Sequence, residues 1–232
     1  MKIEVFADAD AVAHAAAGII AAEARAAVDA CGRFTLAVSG GKTPWVMLRA
    51  LAHEQVPWHG MHVFQVDERI APAGDPDRNL TNLHASLLEN APIPPEQIYA
   101  MPVEAPDIEA AAAQYARTIE KVAGSPAVFD IVHLGLGPDG HTASLVPGDS
   151  VLDVKNVDVA LTGGLYQGRR RMTLTYPLIN RALRILWLVT GGEKVQMLER
   201  LLKSDPSIPG GRVLPDHALL LADRAAAGPD NS

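Results

Sequence analysis

A histidine and a carboxylate sit on a glycine-rich run in "GLGPDGHTASLVPG", Gly135 to Gly148. His141 can carry a proton near neutral pH. Asp139, two residues earlier, can orient its ring and favour its charged form. The first six residues also spell G-x-G-x-x-G, a pattern that holds a dinucleotide pyrophosphate. That use requires a full helix after the third glycine, running back across a sheet with its N-terminus at the phosphates. Gly140 is the third glycine, and Pro147-Gly148 arrive too soon for such a helix. Asp139 would also set a negative charge where the pyrophosphate approaches. The run therefore reads as a turn that presents His141.

Two further groups have matching chemistry. "SGGKT", Ser39 to Thr43, looks like part of a nucleotide-binding loop, but the glycine that loop needs five residues before Gly-Lys is Leu36 here. What remains is a strand, then Ser39, Gly40, Gly41, Lys42 and Thr43, then a helix start. Exposed N–H groups at such a turn can hold one phosphate; an ordinary tight turn is the alternative. Asp67-Glu68-Arg69 follows an apolar segment and opens a long polar stretch, "DERIAPAGDPDRN". "GRRRMTLTY" supplies Arg169, Arg170 and Arg171, and Lys194 follows Gly191-Gly192. Arg171, which abuts a strand, and Lys194 are candidate phosphate clamps. Arg169 and Arg170 fit exposed surface cations better.

These groups need elements to carry them. Lys2 to Phe6, Arg33 to Ser39, Met61 to Val66, Phe129 to Leu134, 172–176 and 184–189 read as strands. Asp8 and Asp10 can cap a helix that Gly32 ends near Cys31, and Asp107 to Ala123 reads as a second long helix. Shorter helices follow Pro44, cover Leu80 to Leu88, and run from Glu193 to Leu202. Strands alternating with helices predict a mainly parallel sheet covered on both faces. In such sheets ligands sit beyond the carboxyl ends of the strands. If the strands ending at Ser39, Asp67 and the Asp139–His141 turn are neighbours, one cleft holds all three groups. No repeat or domain boundary is visible, so residues 1–227 read as one domain and 228–232 as a flexible tail.

The formal charge is −7, from 20 Lys and Arg against 27 Asp and Glu. That balance argues against a nucleic-acid or anionic-membrane partner, because counterion release needs a basic surface. A small anionic ligand remains open where cations gather locally. Cys31 is the one cysteine, so no internal disulfide and no cysteine-based zinc site can form, which suits a cytoplasmic setting. No signal peptide is evident, and the strongest apolar run, Ile185 to Val189, is far too short to span a bilayer. No obligate protein partner is indicated.

Motifs along nearly the whole chain resemble the glucosamine-6-phosphate isomerase/6-phosphogluconolactonase family. They are "AVSGGKTP", "VDER" with "RNLTNL", "FDIVHLGLGPDGHTASLVPG", "RRRMTLTYPLINRA", "LVTGGEKVQML" and "LADRAAA". The resemblance is to the lactonase branch. It implies a modified Rossmann-like α/β fold and hydrolysis of 6-phospho-D-glucono-1,5-lactone in the oxidative pentose phosphate pathway, without metal or other cofactor. The general base would fall on His141, the phosphate site on the Ser39–Thr43 turn, Arg171 and Lys194, and the arginine of the D-E-R motif on Arg69. Two positions depart from the pattern: Val146 stands where the family often has Phe, and Arg78 where it often has Ser. Arg78 is thereby a further candidate to reach the ligand.

The residues suit that chemistry. A δ-lactone is an activated ester. Its hydrolysis needs a water deprotonated, the carbonyl oxygen stabilised and the ring oxygen protonated as it leaves. His141 can move the proton, with Asp139 or Asp67 orienting it. Arg69 or the N–H groups of the glycine turn can stabilise the oxyanion. "HTAS" is not a nucleophile elbow, so Ser144 is not expected to form an acyl-enzyme. The deaminase branch carries an acid shortly after the histidine, where Val146 stands here. A non-catalytic sugar-phosphate sensor would bring a helix-turn-helix and a basic face, and neither is visible.

Overall fold

The computed structural model describes residues 1–228. Seven strands form one parallel sheet: β1 (Lys2–Phe6), β2 (Phe34–Val38), β3 (Met61–Gln65), β5 (Ile98–Tyr99), β6 (Ile131–Gly135), β9 (Arg184–Val189) and β10 (Ala218–Asp223). Their order is β1-β10-β9-β6-β2-β3-β5. The other three, β4 (Asp67–Arg69), β7 (Val159–Leu161) and β8 (Arg171–Leu174), make a small antiparallel sheet in the order β4-β8-β7. The helices are α1 (Ala9–Cys31), α2 (Lys42–Leu51), α3 (Asn79–Leu83), α4 (Ile108–Ala123), α5 (Tyr176–Ile179), α6 (Val195–Leu202) and α7 (Arg224–Ala227).

Two apolar layers explain why the central strands carry almost no polar residues. Successive strand side chains point to opposite faces. Leu36, Ile131, Leu186, Leu188 and Leu221 meet the apolar faces of α1 and α2 on one side. Val132, Leu134, Trp187, Val189 and Leu220 meet α4 and α6 on the other. Both faces are covered, so an unbroken run such as "RILWLV" replaces the alternation of a half-exposed strand. α1 is long and apolar enough to cross a membrane by length and composition. Its Val12, Ala16, Ile20 and Ala24 instead pack fully buried against the sheet.

Local signals fix the helix ends. The Asp8 carboxylate accepts the Ala11 N–H at 2.8 Å, and Gly32 closes α1 in the left-handed region at φ 76°. Asp107 lies one residue outside α4 and caps it by accepting the Ala110 N–H at 2.9 Å. α3 continues into a wider π turn over His84–Leu88, so the expected helix is present with looser winding.

Three expectations change. Asp67-Glu68-Arg69 is no loop; it is β4, paired antiparallel with β8. β8 ends at Leu174, because Pro177 suits the first turn of α5 and the chain turns at Thr175. The antiparallel sheet was not expected, and it lies over the strand ends of the parallel one. Of the expected tail, residues 229–232 lie outside the described residues.

Candidate active site

The parallel sheet reverses its order between β2 and β6. From β2 the chain moves outward to β3 and β5, and from β6 outward to β9 and β10. The crevice at such a switch point is where α/β sheets bind ligands. Ser39-Gly40 leaves β2 there, and the Gly135–His141 turn leaves β6 beside it. β4 and β8 bring Asp67, Arg69 and Arg171 from above. Ser39, Gly40, Asp67, Arg69, His141, Arg171 and Lys194 line one cleft of about 200 Å³. A larger groove of about 920 Å³ runs between α4 and β7. It has no histidine, and its Arg170 and Arg181 are paired with Glu109 and Asp158, so size does not mark the site.

The histidine is firmly held. His141 Nδ1 lies 2.5 Å from Asp139 Oδ1, and its backbone N–H donates to the same oxygen at 3.1 Å. The Tyr166 hydroxyl donates to Asp139 Oδ2 at 2.9 Å and lies 3.2 Å from His141 Nδ1. Burial pushes the Asp139 carboxyl up. The hydrogen bonds and charge of His141, with the Tyr166 hydroxyl, outweigh this and hold it below the usual carboxylate range. With Nδ1 facing a carboxylate, the ring proton belongs on Nδ1. Nε2 then keeps its lone pair and has no protein partner among the described residues. A Cβ on Gly137 would sit 1.9 Å from His141 Nδ1, so the turn needs glycine there for the ring to lie as it does.

The orienting carboxylate is therefore Asp139 and not Asp67. Asp67, 4% exposed, accepts the Ser144 hydroxyl at 2.6 Å and Asn79 Nδ2 at 3.3 Å. That bond also puts Ser144 in service of Asp67.

Arg69 Nη1 donates to Asp77 O at 2.7 Å and to Asn79 Oδ1 at 2.8 Å. Arg171 Nη2 donates to Gln167 Oε1 at 3.0 Å, and its guanidinium lies 4.8 Å from the centre of the Tyr166 ring. The Nε atoms of both arginines are buried without a hydrogen-bond partner. Neither arginine, nor Lys194, forms an ion pair with a carboxylate among the described residues. Burial pulls the Lys194 ammonium pKa down, against the charges of Glu193 and Asp139. Burial likewise lowers that of Arg171, opposed first by Asp67. The cleft thus gathers three cations that make no direct ion pair among the described residues, although Asp67, Asp139 and Glu193 lie near them.

Glu68, fully buried between Asp67 and Arg69, holds the loop in place. It accepts Gln65 Nε2 and the backbone N–H groups of Arg69, Asn79 and Leu80, each at 2.8 Å. Gly40 completes the fit, since a Cβ there would meet Asn79 Oδ1 at 2.0 Å.

Some expected residues lie elsewhere. Gly41 is the residue before α2, and Lys42 and Thr43 line an adjoining hollow of about 500 Å³ that shares Gly40 and Lys194. The helix start turns Thr43 away from the cleft, and its hydroxyl is held 2.7 Å from that of Thr190. Arg78 does not reach the ligand cleft. It is 4% exposed and donates to Glu104 at 2.5 Å. Arg169 pairs with Asp75 at 2.8 Å and Arg170 with Glu109 at 3.1 Å, as surface cations do. Tyr166 and Asn79 are the site residues that the sequence reading missed. "RNLTNL" offered a signal for Asn79. For Tyr166 the signal was faint, an aromatic residue flanked by glycines in "TGGLYQG". Among the described residues, no group of three His, Cys, Asp or Glu could hold a metal ion.

A parallel sheet with a histidine and clustered cations beyond its switch point defines a Rossmann-like small-molecule site. The model of the family described as glucosamine-6-phosphate isomerases/6-phosphogluconolactonase matches residues 7–222. The chain is 35% identical over 237 positions to the 6-phosphogluconolactonase of Nostoc sp., covering 99% of this chain and 98% of that one. It is 40% identical over 181 positions to the 6-phosphogluconolactonase of Synechocystis sp., covering 75% of each. The crystal structure of 6-phosphogluconolactonase from Thermotoga maritima superposes with a TM-score of 0.85 at 27% identity, over 96% of this chain and 98% of that one. The chain belongs to the glucosamine-6-phosphate isomerase/6-phosphogluconolactonase family.

Proposed function

We propose that this chain is a 6-phosphogluconolactonase, hydrolysing 6-phospho-D-glucono-1,5-lactone to 6-phosphogluconate. The observation that carries this reading is one cleft holding a carboxylate-backed imidazole together with three cations that make no ion pair among the described residues. Relatives of nearly equal length carry that name. Residues 1–227 act as one unit in this reading, in the cytoplasm, where a lone exposed Cys31 stays reduced. No nucleic acid, membrane or obligate protein partner takes part.

Arg171 and Lys194 hold the phosphate, with the Ser39–Gly40 turn beneath it. This remote grip fixes the lactone carbonyl beside His141. His141 Nε2 takes a proton from a water, whose oxygen bonds to C1. The carbonyl π electrons move to its oxygen, near the Arg69 guanidinium and the N–H groups of the glycine turn. The tetrahedral centre then collapses, the C1–ring oxygen bond breaks, and His141 returns the proton to that oxygen. Asp139 stabilises the imidazolium between the two transfers.

The test is a pH-stat assay with freshly generated lactone, corrected for spontaneous hydrolysis. The expected result is rapid turnover that His141→Ala lowers roughly a hundred- to ten-thousand-fold while 6-phosphogluconate still binds. Equal loss of turnover and binding would overturn the general-base role. Ammonia release from glucosamine 6-phosphate, with no lactone turnover, would instead favour the deaminase branch.

A further inference from the structure

Tyr166 stands on a built loop rather than a loose one. The hairpin between β7 and β8 is pinned at Gly163 and Gly164, whose N–H groups donate to Asp149 at 2.9 and 3.0 Å. The Thr162 hydroxyl donates to Gly164 O at 2.9 Å, and Tyr166 and Arg169 pair across the tip. This frame carries the Tyr166 side chain, half-exposed, inward. Its ring meets His141 edge-on, at 5.2 Å between centres and 63° between planes.

We infer that Tyr166 is a positioning residue that ties the two ends of the cleft together. Its hydroxyl fixes the Asp139 carboxylate that orients His141, and its ring and backbone carry the Arg171 guanidinium. Asp139 offers two oxygens, one to His141 Nδ1 and one to the Tyr166 hydroxyl. Without the second donor the carboxylate can rotate about its last bond, and the imidazole follows it. Arg171 lies over the ring face, and its Nη2 also donates to Tyr166 O at 3.4 Å. One side chain therefore sets the spacing between proton carrier and anion anchor. The phenol keeps its proton for this purpose: burial, then the bond to Asp139, pushes its pKa up to about 12. The inference rests on the lactonase reading for its kinetic consequences, though not for its effect on His141.

Two variants separate the hydroxyl from the ring. Tyr166→Phe keeps the ring under Arg171 and removes the donor to Asp139. The carboxylate becomes more basic and favours the imidazolium more. The groups around His141 are Asp139 on its own turn, Asp67 and Arg69 on β4, Arg171 on β8 and Lys194 before α6. None of them is substituted in the variant, so the donor lost from Asp139 is the one chemical change. Expected for Tyr166→Phe is a kcat about tenfold lower with KM within about twofold. The NMR chemical shifts of the His141 ring, assigned with His141→Gln, should move, because the carboxylate that holds Nδ1 has lost its second donor. Tyr166→Leu should add an increase in KM of about fivefold, because the ring against Arg171 is lost. Wild-type kcat and unmoved His141 ring signals in Tyr166→Phe would overturn the inference. Moved His141 ring signals in a protein that does not turn over the lactone would uphold the positioning role and sink the lactonase reading instead.

Discussion

His133 on β6 accepts the Ser39 backbone N–H on its Nδ1 at 3.2 Å, while the Ser39 hydroxyl donates back to His133 O at 2.9 Å. A buried imidazole thus supports the turn at the floor of the cleft. Accepting on Nδ1 puts the ring proton on Nε2, which is buried without a partner. Full burial drives the His133 pKa from 6.5 down to about 3. The unfolded chain therefore binds a proton that the folded chain refuses. Stability should be unaffected above pH 6.5 and should fall as pH drops from there toward 3, by about 1.4 kcal/mol per unit from this group. His133→Asn keeps an acceptor for Ser39 and does not titrate. Urea unfolding at pH 7 and pH 5 should show wild type losing about 2 kcal/mol more than the variant between the two. Equal losses would mean that His133 is not the acid-sensitive group.

The Gly137 position supplies a second test, of geometry alone. A methyl group there would lie 1.9 Å from His141 Nδ1 and 2.2 Å from Cε1. The ring cannot swing aside freely, because Asp139 and Tyr166 hold it. Gly137→Ala should lower kcat about a hundredfold or more, since a small misplacement of a proton carrier is enough to do so. Gly18→Ala is the control. Nothing lies within 4 Å of its added methyl group. It should leave activity alone and stabilise α1 by about 0.5–1 kcal/mol. Full activity in Gly137→Ala would show that the observed ring position is not the working one.

Much of this was legible in the sequence because it is written locally. Asp8, Gly32 and Asp107 mark helix ends within a few residues of where they act. Ser39, His141, Arg171 and Lys194 each follow or begin a regular element, which marked them as candidates; their meeting was conditional on neighbouring strands, and Arg171 arrives through the unexpected antiparallel sheet. What was missed is non-local. Asp67-Glu68-Arg69 looks like a solvated run, and two of the four donors that satisfy the buried Glu68 come from Asn79 and Leu80, eleven and twelve residues on. β10 was overlooked as a short apolar stretch between a proline and a charge, and it becomes a strand by pairing with β1 and β9. Tyr166 faces Asp139 across 27 residues through a hairpin whose closure depends on Asp149.

The cations should separate by kinetic parameter and by pH. Arg171→Ala and Lys194→Ala should each raise KM by about tenfold or more with a smaller change in kcat, because a remote phosphate anchor chiefly contributes binding. Lys194 has a lowered pKa through burial, so its ammonium loses its proton at lower pH than an exposed lysine does. Wild-type KM should therefore climb on the alkaline side below pH 10.5, the ordinary lysine value. Lys194→Arg, which stays charged, should remove that climb. A climb of equal size in Lys194→Arg would assign it to another group.

Asp139 and Asp67 can be told apart by their neighbours. Asp139 touches the imidazole, whereas Asp67 touches Ser144 and Asn79. Asp139→Asn keeps the shape but lets the amide nitrogen face Nδ1. That favours the tautomer with the proton on Nε2, where the base needs its lone pair. kcat should fall about a hundredfold or more with KM little changed. The folded carboxyl of Asp139 titrates below the usual range, so its stabilisation is present above the ordinary value of 3.8 and is lost as pH falls through the depressed one. The variant should therefore lose some stability at pH 7 and less near pH 2. Asp67→Asn should displace the acid limb of kcat/KM less than Asp139→Asn does, because Asp67 shares the cleft but bonds to Ser144 and Asn79 and not to the ring. A displaced limb in Asp67→Asn together with an unchanged one in Asp139→Asn would exchange the two roles.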